Sequence, residues 1–310
     1  MADVTRDLSR EQNVFPRVLI AAPTSDRHKN VIKKWQKAVD RLDYPKNRLS
    51  ICLVDTSLKK GKYGRQLRRW GKDRLKVVDL SWNVKKEHVL QMLARAREEY
   101  RKLAWKHNFD YVLHLDTDVI IPRYGLKRLL SHDKEQVGFV VHAFYTKKGY
   151  EKAYARLLKT SRPKYMVSRP AVYHSGNILL KGRVQYDYFS WKEIKEAKKK
   201  LVKVYASSIA CLLVKKKVYA SVPFTTHPSF VWGEDMWYYQ LADKMGFEVW
   251  CDTSVRCRHL NTDWEQSKKV GESAPQLGFH VGLDHPNSPN WKKVEDAWKK
   301  KKVQVAMAQV

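Results

Sequence analysis

The chain has 310 residues, 43% of them hydrophobic and 12% aromatic, with eleven Trp and sixteen Tyr, a composition that excludes an intrinsically disordered protein and allows one substantial core or two small ones. Its 61 Lys and Arg against 32 Asp and Glu give a formal charge of +29, too one-sided for ion-pair networks and suited to an anionic partner: an acidic glycan, a lipid surface or nucleic acid. No apolar run approaches the roughly 18 residues that span a bilayer, and the charged opening MADVTRDLSREQNVFP lacks the apolar segment of a secretory signal, so the expected setting is cytoplasmic, at most peripheral at a membrane surface.

Short β-branched runs alternate with longer helical patterns through the first half, the signature of βαβ units and a largely parallel sheet. Arg17 to Ala22 reads as the first strand, Asp26 to Leu42 as a helix with Val31, Ile32, Trp35, Ala38, Val39 and Leu42 on one face, and Leu49 to Val54 as the second strand. Lys59 to Lys76 carries nine Lys or Arg against one Asp, with Gly61, Gly64 and Gly71 interspersed, and reads as a mobile basic loop. Glu87 to His107 has helical spacing, and Tyr111 to Leu115 is a strand that ends in Asp116, Thr117 and Asp118. Gln136 to Ala143 reads as a strand, Trp191 to Leu201 as a Lys-rich helix, and Val202 to Val214 as strand-forming. Glu234 to Met245 is a helix and Phe247 to Cys251 a strand. These elements divide the chain into an N-terminal arm (1–16), a catalytic domain (17–264) and a basic C-terminal extension (265–310) that contains the short amphipathic segment Trp291 to Lys302. Cys52 and Cys211 sit in apolar runs as small hydrophobes, and Cys251, Cys257 and His259 match no standard zinc spacing.

In an open parallel α/β sheet, ligands bind outside the carboxyl ends of the strands. Three acidic positions fall there: Asp55, Asp116 with Asp118, and the adjacent Glu234 and Asp235. Two carboxylates one residue apart, after the buried run Tyr-Val-Leu-His-Leu, repel one another unless a cation or solvent relieves them. Mg2+ or Mn2+ takes one or two such carboxylates and completes its shell with substrate phosphates, which points to a nucleoside diphosphate. At Glu234 and Asp235, mutual repulsion raises a carboxyl toward the range of a useful base while the helix N-terminus opposes that rise.

Taken together, Val-Leu-Ile-Ala-Ala-Pro-Thr-Ser-Asp-Arg, Leu-Val-Asp-Thr-Ser, Tyr-Val-Leu-His-Leu-Asp-Thr-Asp-Val, and Gly-Glu-Asp-Met-Trp with a later Arg-His-Leu resemble the GT-A glycosyltransferases, nearest to the large family 2, from about Val18 to Leu260. The resemblance implies an α/β, Rossmann-like GT-A fold with a mixed, mostly parallel central sheet flanked by helices. It implies a nucleotide-sugar donor, a UDP-sugar ahead of a GDP-sugar, and Mn2+ or Mg2+. Pro23, Thr24, Asp26 and Arg27 match the loop beside the nucleotide. Asp55 matches the acid that contacts the base, although Asp-Thr-Ser stands where the family often has Asp-Asp-Gly-Ser. Arg97 resembles the helix arginine that faces the nucleotide, with Arg95 as the alternative. Asp116, Thr117 and Asp118 match the DXD motif, with Asp118 the more direct metal ligand, Asp116 shared between ribose and metal, and Thr117 beside the nucleotide. His259 resembles the histidine that completes the metal site, and Asp235 the catalytic base, with Glu234 contacting the acceptor or supporting it. The implied reaction is a single inverting displacement by the hydroxyl of a glycan or lipid-linked glycan. Two alternatives are a glycosyltransferase acting on a modified DNA base and a non-catalytic nucleic-acid-binding protein that uses Lys59 to Lys76. A nucleotidyltransferase fits less well, because Ala-Pro-Thr-Ser-Asp-Arg is not a Gly-rich phosphate loop.

Overall fold

A computed structural model describes residues 15–58, 61–81, 87–145, 167–180, 183–189, 191–197, 200–226 and 233–260. Most of the expected N-terminal arm, Trp232, and the basic extension with Trp291 to Lys302 lie outside the described residues.

The chain begins with β1 (Val18–Thr24), a 3-10 turn (Asp26–His28) and α1 (Lys29–Asp40), then β2 (Leu49–Asp55), α2 (Lys62–Gly71), β3 (Leu75–Asp79) and α3 (Val89–Lys106). It continues through β4 (Tyr111–Leu115), the short β5 (Val119–Ile120), α4 (Gly125–Ser131), β6 (Gln136–Tyr145), β7 (Val167–Pro170), β8 (Val172–Leu180) and β9 (Arg183–Tyr188). Then come α5 (Trp191–Glu196), β10 (Leu201–Val204), β11 (Ala206–Ser207), β12 (Cys211–Lys215), α6 (Lys216–Ser221), α7 (Glu234–Lys244) and β13 (Val249–His259).

Among the described residues, one large sheet has the order β10-β13-β6-β12-β4-β1-β2-β3, with β5 added to β13 and β7 to β6, while β11, β8 and β9 form a small second sheet. β3, β2, β1 and β4 are mutually parallel, as are β6 and β13. β12 is antiparallel between β4 and β6, and β10 is antiparallel to β13. The sheet is therefore mixed and mostly parallel, as expected. β1 is flanked by β2 on one side and β4 on the other, which makes its carboxyl end the switch point where a crevice opens.

Helices cover both faces. Ile32, Trp35 and Val39 of α1, Leu67 of α2 and Leu126 of α4 join Val18, Ile20 and Ala22 in one core, while Ala96 and Tyr100 of α3, Val218 of α6 and Trp237 of α7 join Leu19 and Ala21 in the other. A strand covered on both faces has no polar side to show, and all of β1 is buried. β1 runs two residues beyond the expected end. Pro23 is tolerated there because pairing with β4 stops at Ala21, leaving only β2 alongside. α3 starts at an N-cap, His88, whose ring accepts from Leu90 N while the Gln91 side chain accepts from His88 N at 2.8 Å.

Several boundaries differ from the sequence reading. Lys59 to Lys76 is not a loop: from Lys62 it forms α2, a 3-10 turn and the start of β3. Its glycines obscured a helical stripe in which Tyr63, Gly64, Leu67 and Gly71 are buried. The helix expected from Asp26 opens as a 3-10 turn and becomes α-helical at Lys29. The helix expected over Trp191 to Leu201 ends at Glu196, and Leu201 begins β10. The strand expected over Phe247 to Cys251 continues to His259 through an irregularity between Asp252 and Arg256. That continuation carries the chain back to Asp118, where Leu260 N donates to the Asp118 carbonyl at 2.7 Å.

Candidate active site

The carboxyl ends of β1, β2 and β4, the N-terminus of α7 and the end of β13 bring most of the sequence-selected residues to one edge of the sheet. Asp116 and Asp118 occupy the turn between β4 and β5. Asp116 N is held by Ala210 O at 3.0 Å, and Val119 N closes the turn on Asp116 O at 2.9 Å. Their side chains diverge. Asp118 Oδ2 lies 3.1 Å from His259 Nε2, whereas Asp116 Oδ1 lies 3.4 Å from Arg97 Nη1.

Burial raises the Asp118 carboxyl, but the His259 hydrogen bond and the positive potential of His259 and His28 outweigh it, leaving the group below the usual carboxylate range. Among the described residues, no three His, Cys, Asp or Glu side chains gather into a self-sufficient metal site. The Asp118–His259 pair offers a hard carboxylate and one imidazole, with Asp116 turned to Arg97, a partial donor set that fits an ion such as Mn2+ or Mg2+ that fills its remaining positions with phosphate oxygens. Cys251 and Cys257 are buried and take no part in this donor set.

Thr117, between the two aspartates, turns inward and is fully buried. Its hydroxyl lies 2.7 Å from His28 Nδ1 and 3.1 Å from Thr24 Oγ1, and Thr24 Oγ1 lies 3.0 Å from Tyr63 OH. The hydroxyls of Thr24 and Thr117, expected beside a nucleotide, are thus engaged with each other and with the protein. They lock the ends of β1 and β4 and the first turn of α2 together. His28 and Tyr63 were not selected from the sequence: His28 falls within the expected helix Asp26 to Leu42, and Tyr63 within the stretch read as a loop. The helical recurrence of Tyr63 and Leu67 was the signal available.

Asp55 ends β2 and is buried, its Oδ1 accepting from Ser57 N at 3.0 Å and from Ser57 Oγ at 2.5 Å. Asp26 N donates to the same Ser57 hydroxyl at 2.8 Å, which ties the first loop to the second. Asp79 is the register partner of Asp55 and pairs with Arg68 at 2.5 Å. A Cβ on Gly64 would stand 2.8 Å from Asp79 Oδ1 and 3.3 Å from Asp55 Oδ2, so the absent side chain leaves room beside both carboxylates. Burial raises the Asp55 pKa, Ser57 opposes the rise, and Asp79 and Asp26 add to it. Arg27 is exposed on the turn after β1.

Arg97 is buried and enters the site from α3, its Nε 3.3 Å from Glu234 Oε1. Arg95, the alternative, is exposed and pairs with Glu87 at the surface. Arg97 Nη1 donates to Tyr100 OH at 3.1 Å, and Tyr100 OH lies 2.8 Å from His114 Nδ1. Burial and the Arg97 charge hold His114 well below the ordinary histidine range, so the ring is neutral.

Glu234 and Asp235 open α7 after Gly233. Burial and the neighbouring Asp235 charge push Glu234 up to about 7 against the pull of Arg97. Burial also raises Asp235, although its Oδ1 accepts from Met236 N at 2.7 Å. Glu234 is buried and committed to Arg97, while Asp235 is only half-buried and has no side-chain partner among the described residues. The site therefore combines an acidic, cation-suited edge at Asp118 and His259, a buried arginine joining Asp116 to Glu234, and a more accessible carboxylate at Asp235.

The sequence matches no protein-family model, and no curated protein matches it. Solved structures do. GalNAc-T7, crystallised with UDP, GalNAc and Mn2+, superposes with a TM-score of 0.50 at 14% identity, covering 80% of this chain and 44% of that one. The mannosyltransferase PcManGT from Pyrobaculum calidifontis, in complex with GDP-Man and Mn2+, matches with a TM-score of 0.44 at 17% identity over 79% of this chain and 57% of that chain. S. aureus TarS 1-349 matches with a TM-score of 0.46 at 13% identity over 81% and 62%. The chain thus spans about half the length of these structures. At such identities the likeness concerns architecture, and the chain has the GT-A fold.

Proposed function

We propose that this chain is a metal-dependent glycosyltransferase that moves a sugar from a nucleoside-diphosphate donor, a UDP-sugar ahead of a GDP-sugar, to an acceptor hydroxyl with inversion. The observation that carries this reading is the convergence of Asp118–His259 and of Asp116–Arg97–Glu234–Asp235 at the carboxyl edge of a GT-A sheet.

In this reading Asp118, His259 and Asp116 hold Mn2+ or Mg2+, which when bound would neutralise the diphosphate leaving group. Asp55, with the space left by Gly64, receives the nucleotide base. Thr24, Thr117, His28 and Tyr63 act behind the donor by fixing the turns that carry Asp26 and the two DXD carboxylates. Arg97 stays charged: burial opposes this, but Tyr100, Asp116 and Glu234 together raise its pKa. It orients Asp116 and Glu234 from beneath.

Asp235 is the base that takes the proton from the acceptor hydroxyl as that oxygen attacks the anomeric carbon and the bond to the diphosphate breaks. Its raised pKa makes it a better proton acceptor than an ordinary aspartate, and its half-buried position leaves it accessible. Glu234 supports it from the buried side. The acceptor is a glycan or lipid-linked glycan, and residues 17–264 form the catalytic unit.

The test is isothermal titration with UDP and with GDP, each with and without Mn2+, on wild type and Asp118→Ala, together with donor-sugar turnover by Asp235→Asn. The expected outcome is metal-dependent binding of one nucleotide, lost in Asp118→Ala, and abolished turnover with near-normal donor binding in Asp235→Asn. Absence of nucleotide binding in the wild type would overturn the reading, and substantial turnover by Asp235→Asn would remove that residue from its role.

A further inference from the structure

We infer that the outer face of α1 and α2 is a docking surface for an anionic lipid bilayer. The two helices are crossovers joining β1 to β2 and β2 to β3, all parallel neighbours, so they lie side by side, and Trp35 meets Trp70 edge-on with ring centroids 5.8 Å apart. Their inner sides, Ile32, Trp35 and Val39 with Tyr63 and Leu67, are buried.

Their outer sides are basic. Lys33, Lys34 and Lys37 on α1, and Lys62, Arg65 and Arg69 on α2, are all exposed, and none has an acidic partner among the described residues. Spacings of three and four residues set these charges in stripes about one helical turn apart. Residues 26–41 and 61–76 hold thirteen Lys or Arg against three Asp. Of those, Asp26 is engaged with Lys29 and Asp40 with Arg74.

The choice of lipid over nucleic acid rests on what accompanies the charge. The exposed large apolar side chains of the described residues are Phe15, Leu58, Trp105, Tyr124 and Met245, and none is on α1 or α2. A helix pair studded with exposed Lys and Arg, whose one partly exposed ring, Trp70, is packed against Trp35 and bonded to Asp40, suits a diffuse headgroup layer better than single-stranded nucleic acid. It also lacks a wedge to insert, so binding is electrostatic and reversed by salt. Both helices start at the site edge, α1 directly after His28 and α2 with Tyr63 in its first turn against Thr24. A bilayer docked on this face therefore lies beside the candidate site. The inference does not depend on the transferase reading, and its test needs no turnover.

The full chain is floated with vesicles of phosphatidylcholine alone and of phosphatidylcholine with phosphatidylserine, at low and high salt, with duplex DNA titrated in parallel. Three proteins are compared: wild type, K33E/K34E/K37E, and K102E/K106E/K195E. The last makes the same charge change on exposed positions of α3 and α5. Each basic residue near an anionic surface is worth about a fivefold factor in affinity. Wild type and the control triple are expected to float only with the phosphatidylserine vesicles at low salt, and K33E/K34E/K37E to lose about a hundredfold or more in apparent affinity. Equal flotation of the two triples, or no flotation of wild type, would overturn the inference; tight wild-type binding to duplex DNA without vesicle binding would replace it with a nucleic-acid surface.

Discussion

Arg97 Nε stands 3.3 Å from Glu234 Oε1, and both side chains are buried. The pair joins α3 to the first turn of α7 beneath the turn that carries Asp116. A buried ion pair adds little net stability over an apolar pair, but removing one partner strands the other charge. Above about pH 7, where Glu234 is ionised, Arg97→Met should therefore destabilise the fold by about 3–5 kcal/mol, and Arg97→Met with Glu234→Gln should recover most of that loss. Urea unfolding of the two single variants and the double variant checks this, and additive losses would show that the pair is not coupled.

Glu234 also predicts a pH dependence. Its carboxyl is raised from 4.5 to about 7 by burial and by Asp235. A raised carboxyl favours the fold while protonated, so that contribution is complete below its unfolded value near 4.5 and is lost as the pH climbs through about 7. Relative to Glu234→Gln, wild type should lose stability across this window. Denaturation midpoints measured at its two ends decide the matter, and a constant difference between the proteins would mean that Glu234 stays ionised throughout.

Much of this arrangement is legible in the sequence. The buried run into Asp116 and Asp118, the Glu234-Asp235 helix start, and the alternation of strands with amphipathic helices mark a mostly parallel α/β sheet with acids at its carboxyl edge, because these signals are local; the GT-A type follows from the resemblance. The unread part depended on contacts between segments distant in sequence. Tyr63 matters because α2 leans on Thr24, 39 residues away. Arg97 and Arg95 look alike in sequence, and they differ in that α3 turns the former inward. The resemblance already pointed to His259, but no periodicity announces the continuation of β13 beyond Cys251 that carries it to Asp118. The glycines of α2 read as loop punctuation, whereas Gly64 serves close approach to Asp55 and Asp79.

His28 tests the idea that the DXD turn is held from behind. Its Nδ1 lies 2.7 Å from the buried Thr117 hydroxyl, which keeps Thr24 as a second partner at 3.1 Å. Loss of the ring should thus cost the fold only about 1 kcal/mol. Removing a group that orients metal-binding residues commonly costs about 10- to 100-fold in metal affinity or activity. His28→Ala is expected to weaken Mn2+-dependent UDP binding by about that factor while its urea midpoint changes little. Unaltered UDP affinity would reduce His28 to packing.

Asp252 lies away from these residues and governs acid stability. Its fully buried carboxylate accepts from Arg128 Nε at 2.6 Å, from Ser254 N at 3.0 Å and from Ser254 Oγ at 2.6 Å, and its Oδ2 lies 2.8 Å from His132 Nε2. Together these contacts clamp α4 and its C-cap to β13 beside the strand irregularity. Burial pushes the carboxyl up, but the hydrogen bonds from Arg128, Ser254 and His132 prevail and hold it down to about 2. A depressed carboxyl stabilises the fold above its unfolded value, about 3.9, and loses that contribution as the pH falls through about 2. Asp252→Asn keeps the shape and removes the charge. With allowance for screening at the partly exposed Arg128, it should cost about 1–2 kcal/mol near neutrality, and the gap from wild type should close between about pH 4 and pH 2. Thermal or urea unfolding across that range measures the gap directly; a difference that persists unchanged into acid would show that the clamp relies on shape rather than on the carboxylate charge.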